Sequence, residues 1–284
     1  MSVIPLLFDV AAYTAIFVLV VLGLGVIASM MGIFNFAHGE FVLIGALTVF
    51  LLSRLGVPVW MGMIAAPFVA GLVGAIVERL VVRRFYASPV AAMVGTFAIG
   101  LILRELIRMV LGGQYYSVAE PIGGSFLLGD ASVSVWRAIL ILVACLVLAG
   151  CYLLIRKTHI GLVIRGSLED ASLARVSGIS TDLVYTITFA FGTGLAGLAG
   201  GLIVPIYSIN ADIGVPFLVK SFLAIMLGGL GSFESAVYGA VGVGSASAAL
   251  PWFIKPVVAE LLVFVAAIMI VKLRQAGLLQ RGRT

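Results

Sequence analysis

Charge is scarce in this chain. Asp, Glu, Lys and Arg make up 10% of its 284 residues, and 63% are hydrophobic. A soluble domain is about 25% charged and about 45–50% apolar, so a water-soluble globule is excluded. Histidine and cysteine are scarce too, with two of each. His38 and Glu40 are two residues apart, which on a helix separates them by about 200°. A regular helix face therefore cannot offer both to one metal, and His159 stands far along the chain. Neither H-E-x-x-H nor G-x-S-x-G occurs. Gly228, Gly229 and Gly231 lack the lysine and the strand–helix setting of a phosphate loop. Cys145 and Cys151 lie six residues apart in one expected helix. That is about 9 Å, beyond the roughly 7 Å limit for a disulfide, so both are packing thiols. The expectation is a chain that is not an enzyme and binds no metal and no cofactor of its own.

What the chain has is long apolar runs. A spanning helix needs about 20 mostly apolar residues. The candidates are 10–30, 39–53, 59–82, 91–111, 135–155, 183–206, 216–227, 235–253 and 256–273. Gly39–Ser53 and Pro216–Leu227 are short, and both adjoin glycine-rich breaks. Bilayers tolerate broken helices only where protein or a water-filled cavity surrounds them, so both should face the bundle interior. The fold class expected is an all-α polytopic membrane protein with about eight crossing helices and two short or broken segments. It forms a single transmembrane domain over residues 1–284. Met1–Asp9 has no basic region of the signal-peptide kind, so the first run should stay in the mature protein.

The net charge of +5 points to topology rather than to nucleic acid. Arg83, Arg84, Arg156, Lys157, Arg165, Arg175, Lys272, Arg274, Arg281 and Arg283 cluster at one set of segment ends, against Arg54, Arg137 and Lys255 at the other. The positive-inside rule places the first set, and the C-terminus, in the cytoplasm. Loop 112–134 is then external, and loop 156–182 is cytoplasmic. In the latter, Ser167-Leu168-Glu169-Asp170 resembles a capping box with Asp170 in the usual Glu place, predicting a helix from Leu168 to Ser177 stopped by Gly178. Pro216 suits the first turn of a helix.

A charge inside a membrane is costly, roughly 2.5–3.5 kcal/mol at a helix centre on insertion scales. Glu78 beside Arg79, and Glu260, are expected near headgroups, snorkelling outward. Glu105 and Arg108 are spaced for an ion pair. Lys220 should find a carboxylate on another helix. Asn35-Phe36-Ala37-His38-Gly39-Glu40-Phe41 is the one polar stretch inside an apolar run. Asn35 and Gly39 should interrupt the helix, with His38 and Glu40 answering freed backbone groups. The stretch can also line or gate a translocation path, a reading compatible with the first.

The same stretch, followed by Gly45, resembles the signature of branched-chain amino acid ABC transporter permeases, specifically the first of their two permease subunits. A second block, Gly214-Val215-Pro216-Phe217-Leu218-Val219-Lys220-Ser221-Phe222 leading to Leu227-Gly228-Gly229-Leu230-Gly231-Ser232 and Gly239, is similar to the family's pattern. A third is Thr158, Gly161, Arg165, Ala174, Gly178 and Ile179. The chain departs at Gly166, where the family usually has Ala, and at Phe233-Glu234-Ser235, where it often has a small or Gly-Pro pair. The resemblance implies a permease of an ATP-driven importer in a bacterial inner membrane, with ATP bound on partner subunits. Implied partners are a second, similar permease, two ATP-binding-cassette ATPases and an external solute-binding protein. Implied cargo is branched-chain or related hydrophobic amino acids. Urea, short amides or other amino acids fit the same architecture. An ion-coupled transporter or channel using His38, Glu40 and Lys220 is the alternative of another class. On the resemblance, Asn35, His38, Gly39, Glu40, Lys220, Gly228, Gly229, Gly231 and Ser232 would line the path or its breaks. Gly161, Arg165, Leu168, Ala171, Ala174 and Gly178 would couple to the ATPase.

Overall fold

The computed structural model describes residues 3–86, 88–129, 131–229 and 233–275. Eleven α-helices are present among them. They are α1 (Val3–Met31), α2 (His38–Arg54), α3 (Val59–Leu80), α4 (Pro89–Leu111), α5 (Val135–Lys157), α6 (His159–Glu169), α7 (Ala171–Val176), α8 (Thr181–Ile203), α9 (Gly214–Gly228), α10 (Phe233–Ala249) and α11 (Pro256–Gln275). Six helices are long and apolar enough to cross a membrane: α1, α3, α4, α5, α8 and α11. The chain is a multi-pass membrane protein. The expected figure of about eight exceeds those six because α2 and α10 have 17 residues each and α9 has 15. Fifteen residues of helix reach about 22 Å, short of a hydrocarbon core of about 30 Å.

Two expectations on secondary structure are corrected. The chain is not purely helical, because loop 112–134 folds back as an antiparallel hairpin, β1 (Ser125–Leu128) on β2 (Ala131–Ser134). The helix foreseen over Leu168–Ser177 is two helices, α6 and α7, divided at Asp170. The Asp170 carboxylate accepts from the N–H groups of Ser172 and Leu173 at 2.8 and 2.9 Å, so it caps α7 rather than completing a box with Ser167. The predicted stop holds. Gly178 takes φ +82°, and Ile179 N–H reaches back to Ala174 O at 3.0 Å.

Helix α8 is the axis of the bundle. The apolar window of α8 is 78% buried, against 17% for α5 and for α11. It packs on α1, α2 and α3, and glycines set how closely. A Cβ on Gly192 would strike Gly23 O of α1, and one on Gly200 would strike Val42 O of α2. One on Gly194 would stand 3.0 Å from Pro67 O of α3. In lipid, helices gain little hydrophobic energy by associating, so close backbone approach supplies the packing.

Ion pairs sort the helix ends into two groups. At one end Asp9 meets Arg137 at 2.5 Å and Arg108 meets Asp212 at 2.8 Å. There Phe8 also packs edge-on against Phe126 of the hairpin, and Tyr116 pairs with Ile209 through both backbone groups. This is the hairpin end. At the basic end Arg156 meets Glu234 at 2.6 Å, Arg83 meets Asp182, and α6 and α7 project.

The glycine seam gives a paired prediction. Gly200→Val should destabilise by about 3 kcal/mol or more, since rigid backbone rather than a flexible side chain is in the way. Gly150→Ala, on exposed α5 with nothing within 4 Å of an added Cβ, should instead stabilise by up to about 1 kcal/mol through helix propensity. Denaturant or thermal unfolding in detergent measures both; equal effects would refute the seam.

Candidate functional site

The polar stretch of the sequence forms a true helix break. Helix α1 stops at Gly32, whose φ is +63° and whose N–H donates to Ala28 O at 3.1 Å. Residues 33–37 are not helical, and α2 starts at His38. The break lies in the middle of the bundle, because His38 Nε2 sits 3.0 Å from the carbonyl oxygen of Val20, midway along α1. A carbonyl only accepts, so Nε2 carries the proton. His38 Nδ1 is buried and has no protein partner.

Several of the freed backbone groups are met by protein. Phe36 N–H donates to Thr96 Oγ1 of α4 at 3.1 Å, and that hydroxyl donates on to Met93 O at 2.9 Å. Ala37 N–H donates to Asn35 Oδ1 at 3.0 Å. His38 N–H reaches Asn35 O at 3.2 Å, and Glu40 N–H reaches Ala37 O at 3.0 Å. Asn35 thus does what the sequence predicted, whereas the His38 ring answers no freed group and instead anchors the start of α2 on a carbonyl inside α1. Glu40 does not serve the backbone. Its Oε1 accepts from both Nε, at 3.1 Å, and Nη2 of Arg104 on α4. The carboxylate is 1% exposed. Its Oε2, like Asn35 Nδ2, is buried without a protein partner.

Gly39 is not an interruption either. It lies inside the first turn of α2, where a Cβ would stand 3.0 Å from the carbonyl carbon of Gly214. Gly39 and Gly214 let the first turns of the two short helices touch. The break meets α9 again through Phe222, whose ring is 4.8 Å from that of Phe36 and 5.5 Å from that of Phe34. A cavity of 300 Å³ opens here, lined by Phe36, Phe97, Arg104, Leu218 and Phe222 among others.

Lys220 is elsewhere. Its Nζ finds the predicted carboxylate on another helix, Glu260 Oε1 of α11, at 2.9 Å. Both line a larger cavity of 850 Å³ at the hairpin end, together with Asp9, Tyr13, Arg137 and Asp212. The structure therefore does not bring Lys220 together with His38 and Glu40. Gly228 ends α9, and Gly229, at φ +98°, returns its N–H to Ile225 O at 2.6 Å. Ser235 Oγ donates to Gly229 O at 2.9 Å. This second break belongs to the basic end, near the Arg156–Glu234 pair. Gly231 and Ser232 lie outside the described residues.

The residues singled out for coupling form one hooked segment. Thr158 caps α6, its Oγ1 accepting from Gly161 N–H at 3.2 Å. Gly161 lies so close to the carbonyls of Leu154 and Ile155 that a Cβ has no room. Arg165 donates to Ile155 O, folding α6 back on α5. Leu168 is in α6 and Ala171 opens α7. Ala174 is 6% exposed, and its N–H donates to Asp170 O at 3.0 Å.

A third polar cluster was not anticipated. Glu78 is fully buried rather than snorkelling. Its carboxylate accepts from Thr186 Oγ1 of α8 at 2.6 Å and from the Tyr86 hydroxyl. Burial, then that bond to Glu78, push the Tyr86 phenol above its usual range, so it remains a donor. Arg83–Asp182 and Arg175 Nε to Thr181 Oγ1, 3.1 Å, stand at the same end. The spacing Gly71, Gly74, Glu78 was a usable signal, since it puts Glu78 on the face that meets α8. The Glu105–Arg108 pair forms at 3.2 Å as expected.

The family model "Branched-chain amino acid transport system / permease component" matches residues 6–273. The high-affinity branched-chain amino acid transport system permease protein LivH of Escherichia coli K12 is 27% identical over 281 residues, spanning 93% of this chain and 91% of that protein. BraD of Pseudomonas aeruginosa, with the same description, is 27% identical over 248 residues, spanning 82% and 81%. The probable permease protein LivH of Methanocaldococcus jannaschii is 29% identical over 256 residues, spanning 85% and 79%. Among solved structures, PsaBC from Streptococcus pneumoniae in complex with Fab superposes with a TM-score of 0.50 at 15% identity, spanning 94% of this chain and 90% of that one. That likeness concerns the fold alone.

Arg104→Leu should cost about 3–5 kcal/mol, because it strands the Glu40 carboxylate in the bundle. The double variant Glu40→Leu/Arg104→Leu should recover most of that loss. Unfolding of the detergent-solubilised protein by SDS compares them; a double variant as unstable as the sum of the singles would refute the pairing.

Proposed function

The chain belongs to the branched-chain amino acid transport permease family, and from that premise we propose that it is a membrane subunit of an ATP-binding-cassette importer for branched-chain or related hydrophobic amino acids. The observation that carries the mechanism is the hooked segment α6–α7 at the basic end. It stands between α5 and α8, on the side where the positive-inside rule puts the cytoplasm. An ATPase would there have a docking element built into the sequence of the bundle. The N-terminus and hairpin are then external, toward a solute-binding protein, and the C-terminus is cytoplasmic. On this reading α2, α9 and α10 complete the route to about eight or nine legs, some of them partial.

Force from ATP-driven closure of the ATPases would enter at α7. The Arg175–Thr181 bond carries it to the foot of α8, which Arg83 and Glu78 tie to the neighbourhood of α3. Helix α8 in turn packs on α1 and α2, the two helices that flank the break. A displacement of α8 therefore shifts the walls of the break. The 300 Å³ cavity at Phe36, Arg104 and Phe222 marks the face offered to the path and to a second permease. Phe97 and Val219, which share that cavity, are 54% and 41% exposed.

Proline scanning of α7 tests the coupling. Ala171 is the first residue of α7, where proline is tolerated, so Ala171→Pro should leave coupling nearly intact. Ala174→Pro removes the N–H bonded to Asp170 O. It should cut both leucine uptake and substrate-stimulated ATPase at least about tenfold in proteoliposomes holding the full transporter. Unchanged stimulated ATPase in Ala174→Pro would sink the coupling role. Leucine uptake by the isolated chain without ATP would sink the importer reading.

A further inference from the structure

A cavity of 440 Å³ at the basic end belongs neither to the first break nor to the 850 Å³ cavity at the hairpin end. Its walls include Leu22, Leu154, Ile160, Ile187, Phe191 and Phe233, contributed by α1, α5, α6, α8 and α10. Arg156 and Arg165 are also on its lining. One polar side chain faces it without a partner: Thr188 is 1% exposed, and its hydroxyl is bonded to nothing in the protein. Apolar walls with nothing against them forfeit dispersion contacts.

A groove adjoins the cavity on the flank of α5. Helix α5 packs along α1 and α6 and leaves a groove toward α10. That groove, 320 Å³, is lined by Leu148, Tyr152, Phe233 and Val237 among others. Phe233 lines both spaces, so the cavity adjoins a groove on the flank where α5 is mostly uncovered.

We propose that this cavity holds an acyl chain of an anionic phospholipid whose phosphate rests on Arg156 and Arg165. Each buried methylene contributes to holding the chain. Two guanidiniums, with Lys157 next in sequence and Glu234 as the one acid bonded to them among the described residues, leave a net positive site that favours a net negative headgroup. The phosphate shares Arg156 with Glu234, the internal carboxylate already bonded to it at 2.6 Å. Ile160 and Arg165 belong to α6, while Gly229 and Phe233 flank the second break. The bound lipid therefore bridges the coupling segment and that break, and acts as a wedge between them.

The complete transporter, incubated in nanodiscs of equimolar phosphatidylglycerol and phosphatidylethanolamine and released into native mass spectrometry, tests this. Phosphatidylglycerol should stay bound to this chain about tenfold over phosphatidylethanolamine. Ile187→Trp fills the cavity from an exposed position of α8, and Arg156→Gln removes a headgroup contact while leaving the cavity open. Each should lower phosphatidylglycerol retention about tenfold. Because the second variant adds no bulk and gives up only the exposed Arg156–Glu234 pair, of a kind that contributes little to stability, a folding failure of the first does not protect the proposal. Equal retention of the two lipids, retention unchanged in Arg156→Gln, or displacement of the lipid by millimolar leucine would overturn it. The last outcome would assign the cavity to cargo.

Discussion

A backbone that leaves the helix inside a bilayer must have its N–H and C=O groups met by protein, since no water is there to meet them. The break between α1 and α2 imposes that demand, and two side chains supply part of the answer. Thr96 of α4 takes Phe36 N–H and Asn35 takes Ala37 N–H, while His38 ties the start of α2 to Val20 of α1. None of these can drift without exposing a buried polar group, which costs several kcal/mol in hydrocarbon. Helix α4, which has few other buried residues, is thereby held against the bundle at Thr96 and again at Arg104. The glycine seam follows from the same demand. Helix α2 fits inside the bundle only if α8 and α9 give way, and Gly200 and Gly214 are where they do.

The two short helices are not mirror images. Their first turns touch, at Gly39 and Gly214, and two positive helix ends so placed favour negative charge nearby. Glu40 is that charge, and Arg104 balances it. The pair explains why an acidic side chain persists at such depth. It neutralises two groups that would each be costly alone, and it leaves Glu40 Oε2 as an acceptor that the protein does not use.

Much of this was legible in the sequence. Most helix ends fell within a few residues of the apolar runs, because hydrophobic length is a strong and local signal; α1 is the exception, starting at Val3, seven residues ahead of its expected start at Val10. The break was legible because Asn, His and Glu have no cheap place in an apolar run. What was not legible was partnership across distance. Glu40 and Arg104 are 64 residues apart, and no periodicity links them. Glu78 was misplaced because Arg79 beside it resembles a headgroup anchor, although Gly71 and Gly74 marked its face. Asp170 was misread by position. An aspartate three residues after a serine fits a capping box, but its short side chain reaches the N–H groups that follow it, not those before it.

The second break differs from the first in what surrounds it. The first is tied to α1 and α4 by hydrogen bonds and to α9 by the Phe36–Phe222 contact. The second stands at the basic end, beside an apolar cavity and within reach of α6. Close packing transmits displacement, and a cavity absorbs it. On the proposed coupling, motion arriving at α7 would have two routes. Through α8 it would meet a packed seam that leads to the first break. Through α6 it would meet empty space, unless something fills the cavity between Ile160 and Phe233. On that proposal the occupancy of the cavity would decide whether the two breaks move together or the first moves alone.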